Sequence, residues 1–417
     1  MGALSHIRVL DLSRVLAAPW ATQILGDLGA EIIKIEKPGE GDETRQFGPP
    51  FLQDADGTRG DATYFLAANR NKKSVAINFA KPEGAALIKR LARRAHVVVE
   101  NFKTGALEKY GLDYEMLAAD NPALIYCLLT GFGHDGPYKD KAGYDYLIQG
   151  LGGLMSITGQ PDGTPGAEPM KVGLAVSDLF TGLYTTIAIQ AALIHQARTG
   201  EGQSIDMALF DCQAAVLANQ AMNYLSGSMV PKRMGNAHPN IVPYQVFSTS
   251  DGFLILAIAN DGQFRRFCAA AAIAQIGSDA RYATNSARVE NRDALIALLT
   301  PLFTRRSTSD WISALEAVNV PCGPINRVDQ VFTDPQAIAR GLTIDMAHGA
   351  AGDIKLVASP LRLGKTPPEY RNAPPLLGEH TREILCGTLG LAETEIQSLV
   401  QSKVIGLQST DRALYRP

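Results

Sequence analysis

Residues 7–38 read IRVLDLSRVLAAPWATQILGDLGAEIIKIEKP, and the spacing of apolar residues along them decides the fold. IRVLDL and AEIIKIEKP are short apolar runs of strand character. Between them, APWATQILGDLG carries a helical pattern that a glycine brings to a stop. The same alternation continues downstream. KKSVAIN (72–78) is a strand, PEGAALIKRLARRA (82–95) is an amphipathic helix with proline in its first turn, and HVVVENF (96–102) and PALIYCLLTGFG (122–133) supply further strands. Strands separated by helices of this length form βαβ units, which build a parallel sheet covered by helices on both faces. The expected class is therefore α/β, doubly wound. No GxGxxG follows the first strand, which argues against an NAD or FAD site.

Composition agrees with a folded protein that has room for more than one core. The chain has 417 residues, 46% hydrophobic and 19% charged, and that length suggests roughly two or three domains. A net charge of -3 gives no general attraction to nucleic acid or to an anionic membrane. MGALSHIRVLDLSRVL lacks the features of a signal peptide, and its Gly2 is not followed by the full myristoylation pattern. No apolar run reaches the length of about 18 residues that a membrane span needs. The five cysteines are far apart, with no CxxC pair and no histidine at metal-ligand spacing, so no metal site is expected and a reducing, cytoplasmic setting is.

Residues 172–200, VGLAVSDLFTGLYTTIAIQAALIHQARTG, hold a single acidic side chain, Asp178. Leu179, Leu183, Ile187, Ala191 and Ile194 recur at steps of three and four, the spacing of one helix face, and Gly200 supplies a stop. The spacing predicts a helix with Ser177 or Asp178 as its N-cap. Local sequence leaves two readings of Asp178 open, a cap on a core helix or a group with chemistry to perform.

Beyond about residue 225 the chain changes character. SGSMVPKRMGNAHPNIVPYQVFSTSDGFLILAIANDGQF is rich in Gly, Pro and Asn and then alternates as a hairpin would around Ser250, Asp251 and Gly252. Residues 264–320 read as helical and PCGPINRV as a loop. The expected organisation is a large α/β part over 1–210 and a smaller α+β domain over 225–325.

Several segments together resemble the family III CoA-transferases (the CaiB/BaiF group), which include formyl-CoA, carnitine and succinyl-CoA:glutarate transferases. They are VLDLSRVLAAPWATQILGDLGAEIIKIEKPGEGDETR, NRNKKSVAIN, VVVENFKTGALEKYGLDY, LTGFGHDGPY, AGYDYLIQGLGGLMSITG, VSDLFTGLY, RTGEGQSIDMALFD, GNAHPNIVPYQVFSTSDG and LLGEHTREIL. They fall in family order over nearly the whole chain. GNAHPNIVPYQ, with ANQAMNYL before it, looks most like the succinyl-CoA:dicarboxylate members. The resemblance implies a Rossmann-like large domain made from both chain ends, with residues 345–417 returning to it. It also implies an interlocked homodimer.

The aspartate of VSDLFTG, Asp178, matches the family's nucleophile. An unperturbed Asp titrates near 3.9 and a helix's first turn favours the anion, so Asp178 is expected to be ionised at pH 7 and to need no general base. The family scheme passes through an aspartyl anhydride and an aspartyl-CoA thioester, with no permanently bound cofactor and with acyl-CoA and small carboxylic acids as substrates. By position, Val15, Leu16 and Ala17 match CoA-contacting backbone. Lys37 and Lys109 match basic contacts, Lys37 that to the 3'-phosphate; Ile77 matches an adenine wall, and Asn101 and Phe102 match nucleotide and pantetheine contacts. Lys141 lies one residue off a basic position seen in some members and is left out.

Two departures stand out. Where formyl-CoA transferases carry a run of glycines over the nucleophile, this chain has Ala237, His238, Pro239 and Asn240, which implies a different acid substrate. His238 either binds a substrate carboxylate or faces solvent. Where related racemases place an acid/base histidine, this chain has Tyr144, and a phenol with a pKa near 10 is a poor base at pH 7. An acyl-CoA racemase or isomerase of the same fold, or a non-catalytic CoA-binding protein, are the alternatives to a CoA-transferase.

Overall fold

Strand Arg8–Asp11 pairs in parallel with Glu31–Glu36 on one side and with Val97–Glu100 on the other. In the computed structural model, which describes residues 1–408, these are the central members of a seven-stranded sheet. Its order from one edge is Ile405–Gly406, Lys72–Ile77, Glu31–Glu36, Arg8–Asp11, Val97–Glu100, Ile125–Thr130 and Gln203–Ala208. All neighbours run parallel except Ile405–Gly406, which joins Lys72–Ile77 antiparallel.

Alternate side chains of the same strands enter two separate cores, as the two-residue period of a strand requires. Leu10, Ile33, Ile35, Val75 and Val98 pack with Leu87, Ile88 and Leu91 of helix Pro82–Ala92 and with Ile384 and Leu385 of helix Thr381–Gly387. Val9, Ile32, Val97, Val99 and Ile125 pack instead with Leu25 of helix Ala17–Asp27 and with Ile189 and Leu193 of helix Val176–Thr199. The sheet is thus covered on both faces. Burial is nearly complete for these residues, and each Val, Leu or Ile contributes about 1.5–3 kcal/mol.

The chain divides into two compact units. The first holds residues 1–154 and 172–222 and the chain from Ile338 onward; the second holds residues 155–171 and 223–337. In the first unit the late segment is tied to the sheet edge, where Ala76 N–H donates to Thr381 Oγ1 (2.9 Å) and Gly378 N–H to Ser74 Oγ (2.8 Å). Of the expected segment 345–417, residues 409–417 lie outside the described residues. Two small antiparallel pairs also occur, Phe51–Gln53 with Arg59–Ala62 and Thr343–His348 with Gly352–Val357.

The second unit is built on a three-stranded antiparallel sheet of Tyr244–Ser248, Phe253–Ala257 and Cys322–Pro324. The turn at 249–252 closes through Thr249 N–H to Gly252 O (2.9 Å). Phe303 stacks on Phe247 and lies against Phe267 and Trp311, and the Trp311 indole N–H donates to Phe303 O (2.8 Å). The segment PCGPINRV, read as a loop, forms a strand at its start. Proline is tolerated there because Cys322–Pro324 is an edge strand.

The helix carrying Asp178 departs from its sequence reading in two ways. It spans Val176–Thr199, and its N-cap is Ala175, so neither Ser177 nor Asp178 caps it. Its buried face is the small and hydroxyl-bearing one, Ser177, Asp178, Thr181, Gly182, Thr185 and Thr186 with Ile189 and Ala192, whereas Leu183, Ile187 and Ile194 are exposed. Close packing selects that face. A Cβ on Gly182 would lie 2.6 Å from Ala17 O, so only glycine lets this helix approach helix Ala17–Asp27 so nearly.

Candidate active site

The strand order reverses at Arg8–Asp11, from which the chain builds outward first through Glu31–Glu36 and Lys72–Ile77 and then through Val97–Glu100. The carboxyl ends of Arg8–Asp11 and Val97–Glu100 therefore mark the position at which open α/β sheets bind ligands. The turn entering helix Ala17–Asp27 follows Arg8–Asp11 with Val15 at φ 69°, a left-handed conformation that costs a β-branched residue about 1–2 kcal/mol.

Three side chains hold that turn. Asn101 accepts from Arg14 N–H (2.9 Å) and donates to Arg14 O (2.7 Å). Asp42 Oδ1 accepts from Val15 N–H (3.3 Å). Lys34, fully buried, donates to Ser13 O (2.9 Å) and to Asp42 Oδ2 (2.8 Å). Against the upward pull of burial, the Lys34 ammonium keeps Asp42 ionised with a pKa of about 2.

Beside the turn lies a cleft of about 420 Å³ whose lining includes Arg14, Lys37, Phe47, Ile77, Phe79 and Phe102. Lys37 is exposed at its mouth and paired with Glu40 (2.6 Å). Arg14 lies over the Phe102 ring (4.8 Å) and pairs with Glu43. Phe79 packs edge-on against Phe102 and against Tyr110, and Lys109 Nζ sits over Tyr110 (4.9 Å). Lys37, Ile77 and Phe102 thus share one cleft, with Lys109 behind its aromatic wall. Leu16 and Ala17 are buried at the head of the helix, and the Asn101 amide is engaged by the Arg14 backbone.

Asp178 occupies the first turn of its helix, 9% exposed. Asp145, at the start of helix Asp145–Leu151, supplies the missing cap: its Oδ1 accepts from Ser177 N–H (2.8 Å) and Asp178 N–H (3.2 Å). Gln149 Nε2 holds the other Asp145 oxygen (2.7 Å). Burial, and then the Asp145 charge, raise the Asp178 carboxyl to a pKa of about 7. The expectation of a fully ionised Asp178 at pH 7 is corrected accordingly, since desolvation and a like charge outweigh the pull of the helix terminus. Tyr64 links this carboxylate to the cleft. Burial and the charges of Asp178, Asp145 and Asp42 raise its phenol, and its ring packs edge-on against Phe47 (5.6 Å).

Tyr144 precedes Asp145 and is 71% exposed. Ala237, His238, Pro239 and Asn240 belong to the second unit. There His238 N–H donates to Tyr244 O (2.9 Å), its ring lies edge-on to Tyr244 (5.4 Å), and its Nδ1 accepts from Asn240 N–H (3.0 Å).

Asp145, Asp42, Lys34 and Tyr64 escaped the sequence reading. Asp145 and Asp42 lay inside quoted segments, GYDY and GEGDETR, but a carboxylate that caps a helix 32 residues ahead carries no local signal.

The model of CoA-transferase family III matches residues 4–381. The chain belongs to that family. It is similar to the succinate–glutarate CoA-transferase of Agrobacterium fabrum, 53% identical over 382 residues, covering 92% of this chain and 94% of that protein. It is 43% identical over 410 residues to the succinyl-CoA:glutarate CoA-transferase of Mus musculus, covering 98% of this chain and 92% of that one. A crystal structure of a CaiB/BaiF family protein from Brucella suis superposes with a TM-score of 0.81 at 52% identity, covering 93% of this chain and 99% of that one. The protein is therefore a CoA-transferase, an enzyme whose substrates are CoA thioesters. Among the described residues, no helix is long and apolar enough to cross a membrane, and no cluster of His, Cys, Asp and Glu could hold a metal ion.

Proposed function

We propose that this CoA-transferase moves CoA from succinyl-CoA, or another dicarboxylyl-CoA, to a second carboxylic acid, with Asp178 as its nucleophile. The observation that carries the reading is the state of Asp178: an almost buried carboxylate to which no described residue donates, because Asp145 has taken over the capping of its helix. The names of the Agrobacterium and mouse proteins support a succinyl donor and a dicarboxylate acceptor.

The carboxylate attacks the donor's thioester carbon, the C–S bond breaks, and CoA leaves as thiolate, giving a mixed anhydride. The thiolate then attacks the aspartyl carbonyl, which releases the donor acid and leaves an aspartyl-CoA thioester. The acceptor carboxylate attacks that thioester, expelling the thiolate again and forming a second anhydride. Attack of the thiolate on the acceptor's carbonyl yields the new acyl-CoA and restores Asp178. One thioester is exchanged for another, so no external energy source is needed.

In this reading the cleft takes the CoA nucleotide. Lys37 and Lys109 meet its phosphates, Ile77 and Phe102 its apolar parts, and the backbone of Val15, Leu16 and Ala17 approaches it across the strained turn, with Asn101 setting that turn. Residues 237–240 form the substrate loop. Two chains interlock as a homodimer in the cytoplasm. The apolar stripe of Leu183, Ile187 and Ile194, left exposed on a single chain, supports a second copy.

A carboxyl titrating near 7 would also suit acid/base work in a racemase. The residue at the second acid/base position, however, is Tyr144, a phenol in place of the imidazole that acid/base work needs, and this favours transfer. Asp178→Ala tests the proposal: transfer is lost while CoA still binds in calorimetric titration, and normal turnover by this variant would sink the assignment.

A further inference from the structure

Two cations of the cleft in the first unit are already engaged by carboxylates. Lys37 pairs with Glu40 (2.6 Å) and Arg14 with Glu43, and all four residues line the cleft and stay partly open to solvent. The backbone that carries the carboxylates is fixed from below. Gly41 N–H donates to Lys37 O (2.9 Å), and Asp42 N–H to Glu36 Oε2 (2.9 Å), an oxygen that also binds Arg45 Nε (2.8 Å). Gly41 lies at φ 73°, where a Cβ would meet Arg45 Cδ at 2.8 Å, so glycine is required. Buried Lys34 grips Asp42, whose Oδ1 caps the short helix Glu43–Gln46 through Thr44 N–H (3.0 Å). Glu40 and Glu43 thus flank a locked residue, and they leave their cations only by turning their own side chains.

Arg14 is placed as firmly. Asn101 clamps its backbone, and its guanidinium lies over the Phe102 ring. Glu43 takes Nη1, while the enclosed Nε has no hydrogen-bond partner among the described residues. We propose that Glu40 and Glu43 are built-in competitors for the phosphates of CoA: each holds a cation that a phosphate takes over when the nucleotide enters, and the two carboxylates thereby set how tightly acyl-CoA is held. This rests on the reading of the cleft as the nucleotide site. Exchange costs little, because an ion pair open to water is weak and screened by salt. A phosphate, in return, offers Arg14 a bidentate charge-assisted contact. The product is itself an acyl-CoA and must leave the same cleft, so a carboxylate ready to reclaim each cation favours its release.

The test is calorimetric titration of CoA into the full-length enzyme and its variants. Glu40→Gln and Glu43→Gln keep the size of the side chain and remove its charge, and each should tighten CoA about two- to fivefold at low salt. Loss of any negative charge near the cleft would attract an anion, so each substitution is repeated where its cation is gone. In a Lys37→Ala background Glu40→Gln should leave the affinity nearly unchanged, and in an Arg14→Ala background Glu43→Gln should do the same. Unchanged or weaker CoA binding in both single variants would overturn the proposal, as would tightening of the same size with and without the cation. If neither Lys37→Ala nor Arg14→Ala weakens CoA, the cleft is not the nucleotide site, and that reading falls together with this inference.

Discussion

Asp145 Oδ1 accepts the backbone N–H groups of both Ser177 (2.8 Å) and Asp178 (3.2 Å), so the helix bearing Asp178 is capped by a carboxylate from a different helix. One arrangement has two effects. Asp178's side chain takes no part in capping, and a like charge beside it makes it a weaker acid.

Asp145→Asn separates those effects, because Asn is an equally good capping acceptor but carries no charge. Asp178 must be anionic to attack, so kcat/KM should fall on the acid side with an apparent pKa near 7 in the wild type. Removing the Asp145 charge leaves burial alone to raise that value, and the acid limb should move to lower pH, increasing activity at pH 6 relative to pH 8. A pH profile that does not move would show that Asp145 does not set the ionisation. Asp145→Ala should in addition cost about 1 kcal/mol of stability through the lost cap.

Lys37→Ala and Lys109→Ala address the nucleotide cleft. If either ammonium pairs with the 3'-phosphate, its loss should weaken CoA about ten- to a hundredfold and dephospho-CoA much less. Among the described residues Lys37 pairs only with exposed Glu40, so little stability is at stake in its removal. Equal weakening of both ligands, measured by calorimetry, would assign that lysine another role.

The exposed stripe of Leu183, Ile187 and Ile194 leads to a prediction about assembly. Linked chains cannot separate by dilution, unlike an ordinary dimer governed by mass action. Sedimentation velocity from micromolar to nanomolar protein should show a dimer throughout. A concentration-dependent monomer with native circular dichroism would exclude interlocking.

Much of the large sheet could be read from the sequence, because parallel strands buried on both faces are continuous apolar runs and IRVLDL, KKSVAIN and HVVVENF announce themselves. The face on which helix Val176–Thr199 packs could not. Periodicity identified the stripe of Leu183, Ile187 and Ile194 but not its direction, and the stripe that enters this chain's core is the one containing Gly182, whose missing side chain permits contact with Ala17. The cap was hidden for a related reason. Ser177 and Asp178 both look like capping residues, and only the fold brings Asp145 to their N–H groups. The bond from Arg292 to His238 O is likewise long-range, spanning 54 residues.

The central claim is that CoA passes through a covalent bond to Asp178. Its most direct test is to incubate the enzyme with succinyl-CoA, add hydroxylamine, and map modified peptides by mass spectrometry. The account predicts a hydroxamate on Asp178, formed only when the acyl-CoA is present and absent from Asp178→Asn. Turnover of succinyl-CoA with no modification of Asp178, or with the hydroxamate on another residue, would contradict it.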